Sequence, residues 1–434
     1  MEKHQKILII TYYWPPAGGI AVKRWLSLSN EFAQLNAEVH VLTLDRDSAE
    51  YHTIDDHLLH SVDSRIHVHR ISAWNPFHMT KRLFKKHIPP QGFASKKKAE
   101  SGVNLLTKLR SNLFIPDPRK TWNSRSVRKA LKIIDAHGID ALITTSPPHS
   151  VQLIGRQVAR KRNINWIADF RDPWTDIFYY DQLGHSFFSR KVDAKFERQV
   201  LSEATAISTV SWGLKSLLED KVPSRNPADF HVIPNGIDGE IVSSKLPDSS
   251  KIFRMVYTGM LTNLYEIEPF LCAIQQYNSA EDDRLIVFDF YGSIPPFYQE
   301  VLQNDYSFMH FHGNRSMDEI PRIQESADGL FLVGPKDYTS GHIPGKLFEY
   351  LRASRPIFYL GDEGSDVVRI LEETHSGELF DRNESKKFPA LLAETMKGQV
   401  VVGEVQQRKA VLSAYLRTNQ AKKFLALADT LGVK

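Results

Sequence analysis

Short apolar runs alternate with longer amphipathic ones along almost the whole chain. The apolar runs read as strands at "KILIITYY", "EVHVLTL", "IHVHRIS", "ALITTS", "NWIADF", "TAISTVS" and "HVIPN". Helical patterns lie between several of them. In "IAVKRWLSLSNEFAQL", for example, Trp25, Leu28, Phe32 and Leu35 fall on one face. Strands that are apolar throughout, rather than at every second residue, belong to parallel sheets covered by helices on both sides. A polar stretch, "SSKLPDSSK" (243–251), interrupts the pattern, which then resumes with "FRMVYTGM", "RLIVFDFYG", "MHFHGN", "GLFLVGP" and "PIFYLG". The expected fold class is therefore α/β, with two Rossmann-like, doubly wound parallel-sheet domains at 1–242 and 250–411. A C-terminal helix over 412–434 is expected to pack back on the first domain. The length of 434 residues agrees, since a single core rarely grows so large.

Composition narrows the class. A hydrophobic share of 42% and a charged share of 24% are ordinary for a soluble globular chain. No apolar run is long enough to span a membrane. The opening segment reads as a first strand rather than a signal peptide, and the single Cys272 excludes an internal disulfide framework. These features point to the cytoplasm. The formal charge is +4, but residues 71–132 hold fifteen Lys and Arg against only Glu100 and Asp117. This basic stretch reads as an insertion over about 72–130 in the first domain. Leu83, Phe84, Leu105, Leu106, Leu109, Leu113 and Phe114 lie among its charges, and such interleaving suits an anionic membrane surface better than a nucleic-acid groove. The bland alternative is a solvated surface. Nucleic-acid binding is not expected, since neither a single-strand stacking platform nor zinc-finger spacing is present.

Ligands of doubly wound sheets bind beyond the carboxyl ends of the strands, so residues just after strands are the candidates for chemistry. After the first strand comes "YYWPPAGGIAVKRW". Pro15 and Pro16 stiffen the loop, Gly18 and Gly19 admit a ligand close to the backbone, and the next helix presents its positive end there. Arg24 adds a candidate charge. The G-x-G-x-x-G fingerprint of NAD enzymes is absent. A second such place is "SGHIPGKLFEYLRASRPIFYLG" (340–361). There Pro344 suits the first helical position, Gly345 leaves room for a phosphate and Lys346 supplies a cation. Glu349 shares a face with Lys346 and can accept hydrogen bonds from ribose hydroxyls; the alternative is an exposed i,i+3 ion pair. "SPPHS" and "DFRDPW" also follow strands, which makes His149, Arg171 and Asp172 candidates on the acceptor side. The alternatives are a structural histidine, and an Arg171 that pairs with Asp169 or Asp176. "DRD" (45–47) imitates a metal-binding Asp-x-Asp but stands alone, and no cluster has metal-ligand spacing.

The segment "GKLFEYLRASRPI" (345–357), with the Gly-Gly loop, "IPNGID" (233–238) and "YTGML" (257–261), resembles glycosyltransferase family 4, nucleotide-sugar enzymes of the two-Rossmann GT-B fold. The resemblance spans nearly the full chain, and "SPPHS" and "DFRDPW" look most like bacterial polysaccharide-assembly members. It implies that Glu349 holds the nucleotide ribose. Gly345, Lys346, Leu347, Gly259 and Gly19 would meet the diphosphate. The chain departs from the family in three places. Gly341 replaces the first glutamate of the motif, "TGMLTNLYE" lacks the usual diphosphate-neutralising Arg and Lys, and Arg171–Asp172 stand where many members carry a histidine. Lys346 and Arg24 are the candidates for the missing charge.

The implied reaction is transfer of a sugar from a nucleotide-sugar donor to a glycan or lipid-linked acceptor. It would proceed with retention, with no cofactor and no metal, in the synthesis of bacterial surface polysaccharide. Two other readings fit the same residues: a nucleotide-sugar epimerase or hydrolase, and a non-catalytic protein that binds sugar nucleotides or anionic lipid.

Overall fold

Among the described residues every pairing between the strands of the two sheets is parallel, and each sheet begins in its middle and grows outward in both directions. The computed structural model describes residues 5–49, 51, 53–73, 105–242, 251–280, 284–334, 341–397 and 405–430. All but the last residue of the polar stretch at 243–251, and most of the basic stretch, 74–104, lie outside the described residues. The chain divides into two units, Met1–Pro234 with Gln420–Lys434, and Asn235–Asn419.

The first unit holds β1 (Lys6–Ile10), β2 (Glu38–Leu44), β3 (His67–Ile71), β4 (Ala141–Ser146), β5 (Asn165–Phe170), β6 (Ala206–Thr209) and β7 (Phe230–Val232). They pair in the order β3-β2-β1-β4-β5-β6-β7, so the order reverses between β1 and β4. Helices α1 (Ile20–Gln34), α2 (Leu105–Leu113), α3 (Asn123–His137), α4 (Ser150–Arg162), α5 (Phe187–Glu203) and α6 (Trp212–Asp220) connect them. Successive residues of a strand face opposite sides. Accordingly Ile7, Ile9, Val39 and Val41 pack with Trp25, Leu28 and Phe32 of α1. Leu8, Ile10, Leu42 and Leu142 pack with Ile133 of α3 and Ile154 of α4. Both faces are buried, which is why β1 and most of β2 and β4 are apolar on either side; β3, at the sheet's edge, is partly exposed.

The second unit holds β8 (Ile252–Thr258), β9 (Leu285–Tyr291), β10 (Met309–Phe311), β11 (Gly329–Val333), β12 (Ile357–Gly361) and β13 (Gly377–Asp381). Their order is β10-β9-β8-β11-β12-β13, with the reversal between β8 and β11. Its helices are α7 (Glu268–Ala280), α8 (Pro296–Asp305), α9 (Ile320–Glu325), α10 (Lys346–Ala353), α11 (Asp366–Thr374), α12 (Phe388–Lys397) and α13 (Val405–Ser413). Phenylalanines 253, 270, 288, 331, 358 and 380 dominate the core.

Two details differ from the sequence reading. Strand β13, "GELFD", has no counterpart there: it is an edge strand with Phe380 alone fully buried, so no apolar run marks it. The first unit ends at Pro234 rather than near 242, because residues 236–238 are tied into the second. There Ile237 bridges to Leu416, and the Arg417 guanidinium donates to Asp238 at 2.8 and 3.2 Å. The last helix, α14 (Arg417–Thr430), then carries the chain back to the first unit, where Phe424 packs on Trp25 and Phe32. No helix among the described residues is long and apolar enough to cross a membrane.

Candidate functional site

The loops that follow β1, β4 and β5 gather at the carboxyl edge of the first sheet, on either side of its reversal point. The loop after β1 is held from outside. The Gly18 amide donates to the Thr53 carbonyl (2.9 Å), Asp55 N–H donates to Pro16 (2.8 Å), and Arg70 donates to the Pro15 carbonyl (2.7 Å). Gly19 adopts φ 101°, a conformation costly for other residues, and caps α1 without a side chain. No acidic residue occupies the first turn of α1, so its positive end has no carboxylate of its own there. The N-terminus of α4 is different. Asp117 fills it, accepting from Ser150 N–H (2.8 Å) and Ser150 Oγ (2.9 Å).

Arg24 does not face a ligand site. Its side chain is buried, with Nη1 donating to Pro234 (2.9 Å) and Nη2 to Ile233 (2.8 Å) and to Asp169 Oδ1 (3.4 Å). The expectation that it neutralises a phosphate is corrected by this geometry. Asp169, in turn, accepts from Trp25 Nε1, Thr145 and Ser208, so it is already fully engaged and does not pair with Arg171. Another cation at this edge is Arg119, whose guanidinium lies 5.3 Å from the Tyr12 ring and 5.8 Å from the Tyr13 ring, just after β1. Sequence reading had counted it with the basic stretch.

His149 lies flat on Trp174, 5.0 Å between ring centres and 10° between planes. Burial, with the adjacent Arg171 charge, pushes its pKa down to about 3, so the ring is neutral at physiological pH. Its Nδ1 is enclosed and meets no partner among the described residues; the same holds for Arg171 Nε. Buried polar atoms are normally paired, so these two atoms in neighbouring loops stand out. Arg171 is held through Nη2 to the Pro147 carbonyl (3.4 Å), and Asp172 is half-buried beside it. The supporting wall comes from α5. Asp193 accepts from Trp174 Nε1 and Tyr180 OH, both at 2.8 Å, and Glu197 accepts from Thr175 Oγ1 at 2.6 Å. Two carboxylates at i and i+4 thus pin the loop that carries Arg171 and Asp172.

In the second unit, the loops after β8 and β11 flank the reversal point in the same way. Gly259 has φ 121°, and a Cβ there would lie 2.4 Å from Lys346 Cε. The lysine side chain therefore lies across the Gly259 backbone. Its ammonium donates to Tyr257 OH (2.6 Å) and sits 4.2 Å from that ring's centre. Burial pushes the Lys346 pKa down to about 8, against the opposing pull of Glu349. No ion pair joins the two, so the i,i+3 alternative is absent. Glu349 is exposed and accepts from Gln324 Nε2 (3.3 Å), which also donates to Thr258 Oγ1 (3.0 Å). Gly345 caps α10 without a side-chain bond, while Leu347, Phe348 and Leu351 anchor the helix in the core. Lys346, Gly259, Gly345 and Glu349 are thus brought together. Tyr257 and Gln324, which meet Lys346 and Glu349, were not legible from the sequence as their partners. Each lies far along the chain from the group it holds.

Residues 18–236, half the chain, match the family described as a glycosyl transferase 4-like domain. No curated protein matches by sequence. Among solved structures the chain is similar to the lipopolysaccharide outer core galactosyltransferase WaaB, at TM-score 0.60 and 12% identity over 98% of this chain and 99% of that one. It is also similar to the pneumococcal O-GlcNAc transferase GtfA, solved with UDP and GlcNAc, at TM-score 0.60 and 10% identity over the whole of both chains. A third is a UDP-N-acetylglucosamine 2-epimerase described as putative, from Listeria monocytogenes, at TM-score 0.53 and 12% identity over 98% and 96% of the two chains. At such identities these likenesses speak to the two-domain fold.

Proposed function

The chain belongs to the glycosyl transferase 4-like family and is a glycosyltransferase of GT-B fold, and from that premise we propose that its donor is a nucleotide diphosphate sugar held by the second unit. The observation that carries this reading is Lys346, a partly buried lysine laid across the Gly259 backbone with one hydroxyl and one ring face for company. An ammonium so poorly compensated gains most from an arriving anion, because the diphosphate supplies the charge that the protein withholds. The uncapped start of α10 adds backbone dipole at the same place. Glu349, oriented by Gln324, accepts from the ribose hydroxyls. GtfA, crystallised with UDP, makes a uridine diphosphate sugar the first donor to try.

The acceptor is a glycan or lipid-linked sugar taken by the first unit beside the loops that carry His149, Arg171 and Asp172, with the buried Trp174 behind them. At physiological pH a neutral His149 donates or accepts a hydrogen bond to a hydroxyl rather than carrying charge. Neutralisation of the leaving diphosphate by Lys346 and the helix start supplies the main acceleration, and no flanking carboxylate pair suggests a double displacement. Transfer then proceeds on the face from which the diphosphate departs, with retention and without a metal, for a surface polysaccharide. Peripheral association with an anionic membrane is supported by exposed Leu109 and Leu113 of α2 and Phe187 and Phe188 of α5, with Lys108, Arg190 and Lys191 exposed among them.

A thermal-shift screen against nucleotide sugars, followed by incubation with glycan acceptors and NMR of the product anomer, tests the proposal. A stabilising donor and an acceptor-dependent product of retained configuration are expected. Donor conversion without acceptor would instead identify an epimerase or hydrolase, and an inverted product would overturn the mechanism.

A further inference from the structure

The opposite edge of the first sheet carries a second concentration of chemistry that transfer does not use. Strand β2 reads Glu38-Val-His40 and strand β3 reads His67-Val-His69, so alternation places Glu38, His40, His67 and His69 on one face. The register aligns His40 with His67 across the pair. His137, the last residue of α3, comes down over them, 4.3 Å from the His40 ring centre. These residues stand near the amino ends of β2 and β3, where Lys6 of β1 donates to the His137 carbonyl (3.0 Å), whereas the candidate transfer residues follow the carboxyl ends.

We infer that His40, His69 and His137 form a binding site for a borderline divalent transition metal of the zinc class. One ligand nitrogen from each lies within 4.8 Å of the others. His40 Nδ1 and His69 Nε2 are 3.0 Å apart, and two nitrogens about 2.1 Å from a tetrahedral zinc stand roughly 3.4 Å apart, so a small rotation of one ring admits the ion. His40 Nε2 meets Glu38 Oε1 at 3.0 Å. A metal-binding imidazole commonly gives its second N–H to a carboxylate in this way, which leaves Nδ1 with its lone pair turned inward. Without metal, one proton shared between His40 and His69 closes the pair; with metal, His69 moves that proton to its other nitrogen. Lys129 lies near His69 and opposes the incoming charge, while Lys6 is engaged with Glu38 at 3.0 Å. His40 is buried, His69 half-buried and His137 exposed, so the ion enters from the His137 side. Three neutral imidazoles leave a fourth position for His67 or water, and the ion joins β2, β3 and α3 as a clasp. The inference is independent of the transfer site.

The test uses the full chain, stripped with chelator and dialysed, and titrated with Zn²⁺ by calorimetry and with Co²⁺ by visible absorption. One saturable equivalent and the absorption bands of tetrahedral cobalt are expected. His69→Gln and His137→Gln should each weaken binding at least about tenfold, whereas His57→Gln, on an exposed turn, should not. His137 is exposed, so its variant folds whatever the outcome. Failure of the native chain to take up either ion saturably, or unchanged affinity in both variants, overturns the site.

Discussion

Arg24 and Lys346 lie early in helices that start at the carboxyl edge of a sheet, one in each unit, yet they end in opposite states. Arg24 is surrounded by acceptors: Asp169 and the carbonyls of Ile233 and Pro234. Lys346 has a phenol and a ring face. The first arrangement stabilises the unit and leaves nothing for a ligand. The second is a cost the fold carries, one that the proposed diphosphate would offset. A cation near a helix start is thus a poor guide to function by itself. Its remaining partners decide.

The largest expected effect breaks the first half of this comparison. Asp169→Asn should leave the Arg24 charge buried without its counterion and destabilise the first unit by about 3–5 kcal/mol. Urea unfolding measures this, and a loss below about 1 kcal/mol would show that the two carbonyls suffice.

Lys346→Met tests the second half. Loss of a charge-assisted bond should weaken UDP-sugar binding about 10–100-fold, while the melting point without ligand holds or rises, since a desolvated charge has been removed. The pH dependence sharpens the same point. With its pKa held down to about 8, Lys346 is charged below that value and loses its proton above it. A bound diphosphate raises the pKa, so the complex holds the proton that the empty site has shed. Donor affinity should therefore fall as pH climbs through 8, by up to about tenfold per unit, and the Lys346→Met protein should lack that slope. A native slope that survives the substitution would assign it elsewhere.

The smallest effect concerns the ribose. Glu349→Gln should weaken UDP several-fold and leave inorganic pyrophosphate binding unchanged, as calorimetry would record. Equal losses for both ligands would move Glu349 from the ribose to the architecture of the helix.

Much of the fold was legible because its signals are local. Strands "EVHVLTL", "ALITTS" and "NWIADF" begin and end where their apolar runs do. The glycine loop and the helix at 346 were legible too, since Gly, Pro and a following amphipathic run occupy one short window. β13 was not, because an edge strand needs few buried residues. Arg119 was hidden among fourteen other basic residues that carry no mark of which one folds back onto Tyr12 and Tyr13.

The chain's own order of residues, then, determined two parallel α/β units, their helix faces, and the glycine- and proline-bearing loops proposed to meet a diphosphate and a sugar. Only tertiary structure decided which charges remain for a ligand. Arg24 meets Asp169 across 145 positions and Lys346 meets Tyr257 across 89. Hydrophobic periodicity is a property of neighbours along the chain, whereas desolvation and counterions are properties of neighbours in space. The same reason kept His40, His69 and His137 from showing themselves as a cluster until β2, β3 and α3 had come together.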